Sequence, residues 1–313
     1  MRKDIFVINP AAGKPGQAEA AESQARRVAE ARGLDYQIVK TAYKGQATEE
    51  VSRIAAENPD VTCRFYACGG DGTVNEVVCG AAGHANAQMA CYPCGTGNDF
   101  IKIFSGKENF LDMEKLVDAP TIPLDLIRIN DKYAINLCSA GIDARVADWG
   151  SRHSRSLPVS GKLVYDISIL VNFFSRIWRH YEVELDGERL DGDYAIIVGS
   201  SGRYYGGGFC AIPESEPDDG LLDFVLIRRV SHLKLLQLIG RYQEGRHQEF
   251  GDLQLWRRGR RIVLRSASPE PCNYDGEIMR VREAVIELAP WKLEVALPAG
   301  SELIRDAGAK LSK

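Results

Sequence analysis

The chain has 313 residues, beyond the size at which one hydrophobic core usually keeps growing, so two domains are expected. Its 45% hydrophobic and 26% charged composition is that of an ordinary soluble globular protein, and a net charge of −4 argues against one that coats nucleic acid. No run reaches the roughly 18 apolar residues that a membrane span needs; the longest candidate, 163–178, is broken by Asp166, Asn172 and Arg176.

The charged start Met1-Arg2-Lys3-Asp4 leads straight into the apolar run Ile5-Phe6-Val7-Ile8, which reads as a buried parallel strand and not as a signal peptide. Asn9-Pro10-Ala11-Ala12-Gly13-Lys14 is then a turn of small residues that misses the P-loop spacing. An Ala-rich helix is expected over 19–32 with Gly33 as its stop, and a second strand over 36–39 with Thr41 just past its end. Thr48 is expected to cap a helix running to Ala56, which Asn58-Pro59 ends. A strand over 63–66, a glycine turn and a helical pattern over 77–82 follow. Another strand, 88–93, runs into Gly95-Thr96-Gly97-Asn98-Asp99-Phe100.

Strands alternating with helices in this way imply a doubly wound parallel sheet, in which ligands bind beyond the carboxyl ends of the strands. The turns at 9–13, 41, 69–75 and 95–99 all fall at those ends. Ala67-Cys68-Gly69-Gly70-Asp71-Gly72-Thr73-Val74-Asn75-Glu76 carries the chemistry: a strand-to-helix turn presents backbone N–H groups to an anion, and a nucleotide phosphate is the simplest one. Read alone, the cluster is also an ordinary tight turn, and it misses the Rossmann spacing because position 75 is Asn. Beside the second glycine turn, however, Asp71 and Asp99 lie on neighbouring loops, as carboxylates around a phosphate-bound Mg²⁺ would.

From about residue 120 the pattern changes to short strands at 121–129, 132–138, 181–185, 194–198, 221–227, 260–264, 284–288 and 293–297, several separated by turn dipeptides. An antiparallel sandwich or barrel-like domain is expected. Helical stretches interrupt it at 163–179 and 233–242, the second facing the core through Leu235, Leu236, Leu238 and Ile239.

These motifs, in this order, resemble the diacylglycerol kinase catalytic fold shared with sphingosine and ceramide kinases, the bacterial diacylglycerol kinase-like branch matching best in length. The resemblance rests on Asn9-Pro10-x-x-Gly13, the run from Gly69 to Glu76, and Gly95 to Phe100. It continues through Gly141-Ile142-Asp143-Ala144, Gly206-Gly207-Gly208, Pro213 with Asp219-Gly220-Leu221-Leu222-Asp223, and Asp275-Gly276-Glu277. It implies an ATP-dependent lipid kinase that converts diacylglycerol, or a related lipid alcohol, to its phosphate. An α/β nucleotide-binding domain would span 1–120, with the tail 299–313 packed back on it, and a β-rich lipid-substrate domain would span 121–298.

The resemblance further implies that Asn9, Pro10, Ala11, Ala12, Gly13, Thr41, Gly69, Gly70, Asp71, Gly72, Thr73, Val74, Asn75 and Thr96 bind ATP. Asp71 and Asp99 would hold the catalytic magnesium. Asp219, with the backbone carbonyls of Glu216 and Leu221, would hold a second, structural Mg²⁺. Glu277 would be the general base, tuned by Asp275. Ala12 departs from the Ser common at that place in the family and gives up a hydroxyl contact to phosphate. Without the family, Asp275-Gly276-Glu277 is simply a hairpin turn, and the 217–220 stretch a solvated acidic loop.

A lipid acceptor implies reversible, peripheral docking from the cytoplasm at the inner face of the membrane, with no nucleic-acid partner and with a homodimer allowed. Arg152, Arg155, Lys162, Arg176 and Arg179 border the apolar Phe173, Phe174, Ile177 and Trp178; they read either as a docking face or as core aromatics beside solvated arginines. The patch from Arg257 to Arg261 reads as surface charge or as ion-pair partners of acidic neighbours. The eight scattered cysteines are expected to be free thiols, with Cys91 and Cys94 as core residues although their spacing is that of a redox or half-zinc pair. Gly199-Ser200-Ser201-Gly202 misses the nucleophile elbow. The rivals are an NAD kinase-like or other soluble-substrate kinase, and a non-catalytic lipid- or nucleotide-binding regulator.

Overall fold

The computed structural model describes residues 2–153, 167–168, 171 and 175–305. Four continuously apolar runs form the parallel strands β1 (Arg2–Ile8), β2 (Tyr36–Lys40), β3 (Thr62–Gly69) and β4 (Ala87–Pro93), paired in the order β2-β1-β3-β4. Ile5 to Ile8 and Phe65 to Cys68 are buried on both sides of the pleat, as a sheet covered on two faces demands. The cover comes from α1 (Gln17–Arg32), α2 (Gln46–Glu57), α3 (Asp71–Ala81) and α4 (Met113–Asp118), with α2 packed on α3 and α1 on α4. Because β1 has β2 on one side and β3 on the other, the winding reverses between β1 and β3, where such sheets open a crevice.

The remaining strands are β5 (Thr121–Ile129), β6 (Lys132–Ala134), β7 (Leu137–Gly141), β8 (Arg179–Leu185), β9 (Glu188–Arg189), β10 (Gly192–Ser200), β11 (Tyr204–Tyr205), β12 (Phe209–Cys210), β13 (Leu222–Arg228), β14 (Gln254–Gly259), β15 (Arg261–Tyr274) and β16 (Glu277–Ala296). Antiparallel pairing links β14-β13-β10-β7-β15-β16, and β8 pairs with both β10 and β15. Helices α5 (Ile142–His153) and α6 (His232–Gln243) add Ile142, Val146, Leu235, Leu238 and Tyr242 to the core formed by Ile196, Val198, Val225 and Ile227.

The chain falls into two units. The first holds 1–126, 133–135 and 289–305; the second holds 127–132 and 136–288. In the first, the end of β16 runs parallel to β4, Glu294 beside Gln88 and Val295 beside Met89. There too the chain end returns: Ser105 N donates to Glu302 O at 2.9 Å, and Ile304 N to Ile103 O at 2.8 Å. The tail beyond 305, and most of the helix expected over 163–179, lie outside the described residues.

Several local expectations change. Helix α2 starts at Gln46 after Gly45, so Thr48 is not its cap. The Glu76 carboxylate satisfies its first donors from α3, accepting Gly45 N at 2.8 Å and Ala47 N at 3.1 Å, while Thr48 Oγ1 donates to Glu76 O. A partner distant in sequence removes the need for a local cap. Helix α3 begins at Asp71, six residues before the expected 77, and takes Gly72 into its first turn. Of the four α6 residues expected in the core, Leu235 and Leu238 face it, whereas Leu236 and Ile239 are exposed. The run at 132–138 breaks into β6 and β7, and α5 and β14 were not anticipated.

Arg64, 4% exposed, locks α4 to the sheet. Its Nη1 donates to the carbonyls of Leu116 and Val117 at 3.2 Å and of Ala119 at 2.9 Å, and its Nε to Gln88 Oε1 at 3.0 Å. Arg64→Met would remove a donor shared by three carbonyls, of which Leu116 O keeps the Ala119 N–H, and is expected to cost about 3 kcal/mol in urea unfolding. Arg64→Lys should fail to restore it, since a point-like ammonium cannot replace the planar fork. Full rescue by Lys would show that charge alone matters.

Candidate active site

In the first unit, four turns leave the carboxyl ends of β1 to β4, and two of them interlock. A Cβ on Gly95 would lie 2.5 Å from Gly70 Cα, so only glycine lets the two backbones approach this closely. Cys94 N donates to Gly69 O at 2.8 Å, and Asn98 Nδ2 closes its own turn on Gly95 O at 2.7 Å. Gly13 presses on the same loop, where a side chain would overlap the Cys94 carbonyl.

Hydrogen bonds extend this frame. Asn9 Oδ1 accepts Ala11 N, and Asn9 Nδ2 donates to Thr73 Oγ1 at 3.1 Å, tying the β1 turn to the start of α3. Thr41 N donates to Ile8 O at 3.0 Å. Pro10, Ala11, Gly13, Gly72 and Thr96 are exposed around this rim. Val74 and Asn75 are not: Val74 is buried, and Asn75 Nδ2 donates to Tyr133 O at 3.0 Å, so their side chains hold the fold.

Asp71 Oδ1 accepts Asp99 N at 2.6 Å, and Asp99 Oδ1 pairs with Lys102 Nζ at 2.5 Å. Burial, then the nearby Asp99 charge, pushes the Asp71 carboxyl above its usual range. Among the described residues no group of three or more acidic, His or Cys side chains gathers as a metal cage; a single carboxylate at a glycine turn, with its charge disfavoured, is chemically suited to a divalent cation that takes its other ligands from substrate phosphates. Lys102 and Glu76 are working residues that sequence reading missed; only the i,i+3 spacing of Asp99 and Lys102 could have signalled the first. Burial raises the Cys94 thiol to about 11 and Cys91 further, so both stay protonated near neutrality.

In the second unit, Asp275 sits at the β15–β16 turn with φ 48°. Its Oδ1 accepts both Asn136 N and Leu137 N at 3.0 Å. That carboxylate therefore ties the turn bearing Glu277 to the backbone at 136–137. Arg203, 1% exposed, donates through Nε to Ser215 O at 2.8 Å and through Nη2 to Glu216 Oε1 at 2.9 Å. Asp219 accepts Leu221 N at 3.0 Å and the Arg258 guanidinium, whose Nε lies 3.3 Å from Asp223 Oδ1. Three carboxylates thus face two guanidiniums, and Asp223 Oδ2 is buried with no hydrogen-bond partner. The excess negative charge and the orphaned oxygen fit a cation that competes with Arg258 for Asp219.

Asp143, in the first turn of α5, has both carboxylate oxygens buried without hydrogen-bond partners, and burial lifts it from the ordinary 3.8 to about 6. The patch 257–261 forms ion pairs: Arg257 with Glu188, Arg258 with Asp219 and Asp223, Arg261 with Glu287. Of the expected docking cations, Arg152 pairs with Asp148 and Arg179 with Glu270, while Ile177 belongs to the core. Arg155, Lys162, Phe173 and Phe174 lie outside the described residues.

A model of the diacylglycerol kinase catalytic domain matches residues 3–129, and one of the YegS C-terminal NAD kinase β-sandwich-like domain matches 136–297. The chain belongs to the bacterial diacylglycerol kinase-like lipid kinase family. A Pseudomonas aeruginosa protein named "Probable lipid kinase YegS-like" is 28% identical over 245 residues, 77% of this chain and 79% of that protein. A crystal structure of a diacylglycerol kinase from Bacillus anthracis superposes with a TM-score of 0.68 at 19% identity, covering 97% of this chain and 98% of that one. A second Bacillus anthracis structure gives a TM-score of 0.73 at 21% identity, covering 95% and 98%. At these identities the two structures establish the fold, and the family implies ATP as phosphate donor.

Two outcomes are expected here. Magnesium should raise the melting temperature of the chain without nucleotide, and Asp219→Ala should abolish that rise; identical wild-type melting with Mg²⁺ or with chelator would remove the cation from the acidic loop. For Asp143, a folded pKa above the ordinary value means stability that is whole below 3.8 and lost as pH rises through about 6. Asp143→Asn should therefore gain on the wild type, by up to about 3 kcal/mol, between about pH 4 and about pH 8. A pH-independent difference in denaturant unfolding would exclude this.

Proposed function

We propose that the chain transfers the γ-phosphate of ATP to the hydroxyl of diacylglycerol, giving phosphatidic acid, or to a closely related lipid alcohol, at the inner face of the membrane. The observation that carries this reading is the interlocked pair of glycine turns with Asp71 bonded to Asp99 N, in a family of lipid kinases.

Phosphoryl transfer asks the protein mostly for positioning and charge compensation. The rim from Asn9 to Gly13, Thr41, Gly69 to Thr73 and Thr96 would seat the polyphosphate against backbone N–H groups at the start of α3. Mg²⁺ at Asp71 supplies charge neutralisation at the β- and γ-phosphates when bound. Glu277 takes the proton of the acceptor hydroxyl as its oxygen bonds to the γ-phosphorus. The bond from that phosphorus to the bridging oxygen then breaks, and ADP leaves with the electron pair. Asp275 holds the Glu277 turn through the backbone of Asn136 and Leu137. In the acidic loop, Asp219 with the carbonyls of Glu216 and Leu221 would hold the structural cation.

ATP labelled at the γ-phosphate, offered to the full chain with dispersed diacylglycerol, other lipid alcohols or NAD, tests the acceptor directly. Label in the diacylglycerol product is expected; label in NAD alone would make this a soluble-substrate kinase, and no transfer a binding protein. Glu277→Gln should lower kcat by ~10² or more while leaving ATP affinity intact. Near-normal turnover would take Glu277 out of the role of base.

A further inference from the structure

Helix α6 is apolar on two sides. Leu235, Leu238 and Tyr242 enter the core, while Leu233, Leu236 and Ile239 point outward, 68%, 57% and 40% exposed. Spacing of three residues places the exposed trio along successive turns. Six large apolar side chains are exposed among the described residues, and half of them stand on this helix. Isolated exposed apolar residues are normal, but a cluster marks an interaction surface.

The charge carried by the helix itself has one sign. Residues 228–243 contain Arg228, Arg229, Lys234 and Arg241 and no acidic residue, in a chain whose net charge is −4. A cleft of about 380 Å³ opens beside the start of the helix, lined by Arg176, Trp178, Arg229 and His232 among others. The guanidinium of Arg176 stands 3.6 Å from the centre of the Trp178 ring, and that of Arg229 4.2 Å. The backbone beneath is fixed, because Arg145 donates to the carbonyls of Arg176 and Ile177 at 2.6 and 2.8 Å. Acidic neighbours lie at the two ends of the face: Arg229 reaches Asp193 at 3.8 Å, Asp193 also pairs with His180, and beyond the helix Glu249 pairs with Arg241 at 3.6 Å, which leaves Arg176, Arg229 and Lys234 at the start of the helix as the cations of the face.

We infer that this face docks on an anionic bilayer, with Leu233, Leu236 and Ile239 entering the acyl boundary and Arg176, Arg229 and Lys234 meeting lipid phosphates. Trp178 supplies the amphipathic ring favoured at that depth. An apolar stripe rimmed by cations with no interspersed acid matches an interface that is anionic above and apolar below. The inference rests on the lipid-kinase reading for its purpose, since such an acceptor lies in a membrane, but its geometry stands on this helix and the Arg176–Trp178–Arg229 cluster beside it.

Co-sedimentation of the full chain with phosphatidylcholine vesicles, with and without phosphatidylglycerol, tests it in the absence of ATP and acceptor lipid. Binding should be about tenfold or more tighter to the anionic vesicles and should weaken with salt. The pair Leu233→Ser and Leu236→Ser should weaken binding about tenfold while leaving melting and turnover of detergent-dispersed acceptor unchanged. The pair Arg176→Gln and Arg229→Gln should remove the preference for anionic lipid. Wild-type vesicle binding by both double variants would overturn the docking face. So would equal binding to neutral and anionic vesicles, or a dimer that the leucine pair converts to monomer with vesicle binding intact. A chain that sediments with vesicles but phosphorylates no lipid fails the kinase reading alone, and one that phosphorylates dispersed lipid without binding vesicles fails the docking reading alone.

Discussion

The contact between Gly70 and Gly95 is the constraint on which the two glycine turns depend. Two backbones meet there at a separation that a single methyl group would forbid. Everything local follows from that approach. Cys94 N reaches Gly69 O, Asp99 N comes to lie against Asp71, and Gly13 closes on the Cys94 carbonyl. Glycine is entropically costly in each turn, by roughly 0.5–1 kcal/mol relative to Ala. Its gain is a loop pair whose acidic groups are held in place before any ligand arrives.

The charges in this chain are arranged differently at each site. At Asp71, burial and the nearby Asp99 charge disfavour the carboxylate, while the Asp99 N–H is bonded to it. In the acidic loop, Arg203 and Arg258 compensate most of the negative charge of Glu216, Asp219 and Asp223, yet Asp223 Oδ2 remains without a partner. Asp275 Oδ1 accepts two backbone N–H groups, which helps a short Asp-Gly turn to present Glu277 in a fixed place.

Much of this was legible in the sequence, and the failures share one cause. The parallel strands were readable because double burial makes Ile5 to Ile8 continuously apolar, and the glycine turns because their spacing has few other uses. Contacts distant in sequence were not readable. Glu76 caps α2 from 29 residues away, so the local signal at Thr48 misled. Helix α3 takes its start from the turn at Gly70, so the glycine-rich first turn read as loop. Leu236 and Ile239 carry the same letters as core residues, and only their placement on α6 shows that they face outward. The bonds from Asn136 N and Leu137 N to the Asp275 carboxylate, 139 and 138 residues away, had no signal in the sequence either.

The chain passes between the two units at 126, 132, 135 and 288, and so neither unit is a continuous stretch. The strand beside β4 is completed by Glu294 and Val295, and the turn at 103–106 is closed by residues 302–304. During synthesis the parallel sheet must therefore wait for residues 294–295 before its β4 edge is covered. Contacts of such long sequence separation form slowly, and an open parallel edge is exposed to mispairing in the meantime. Truncation near the end of the chain would thus strike a unit whose other strands were made first.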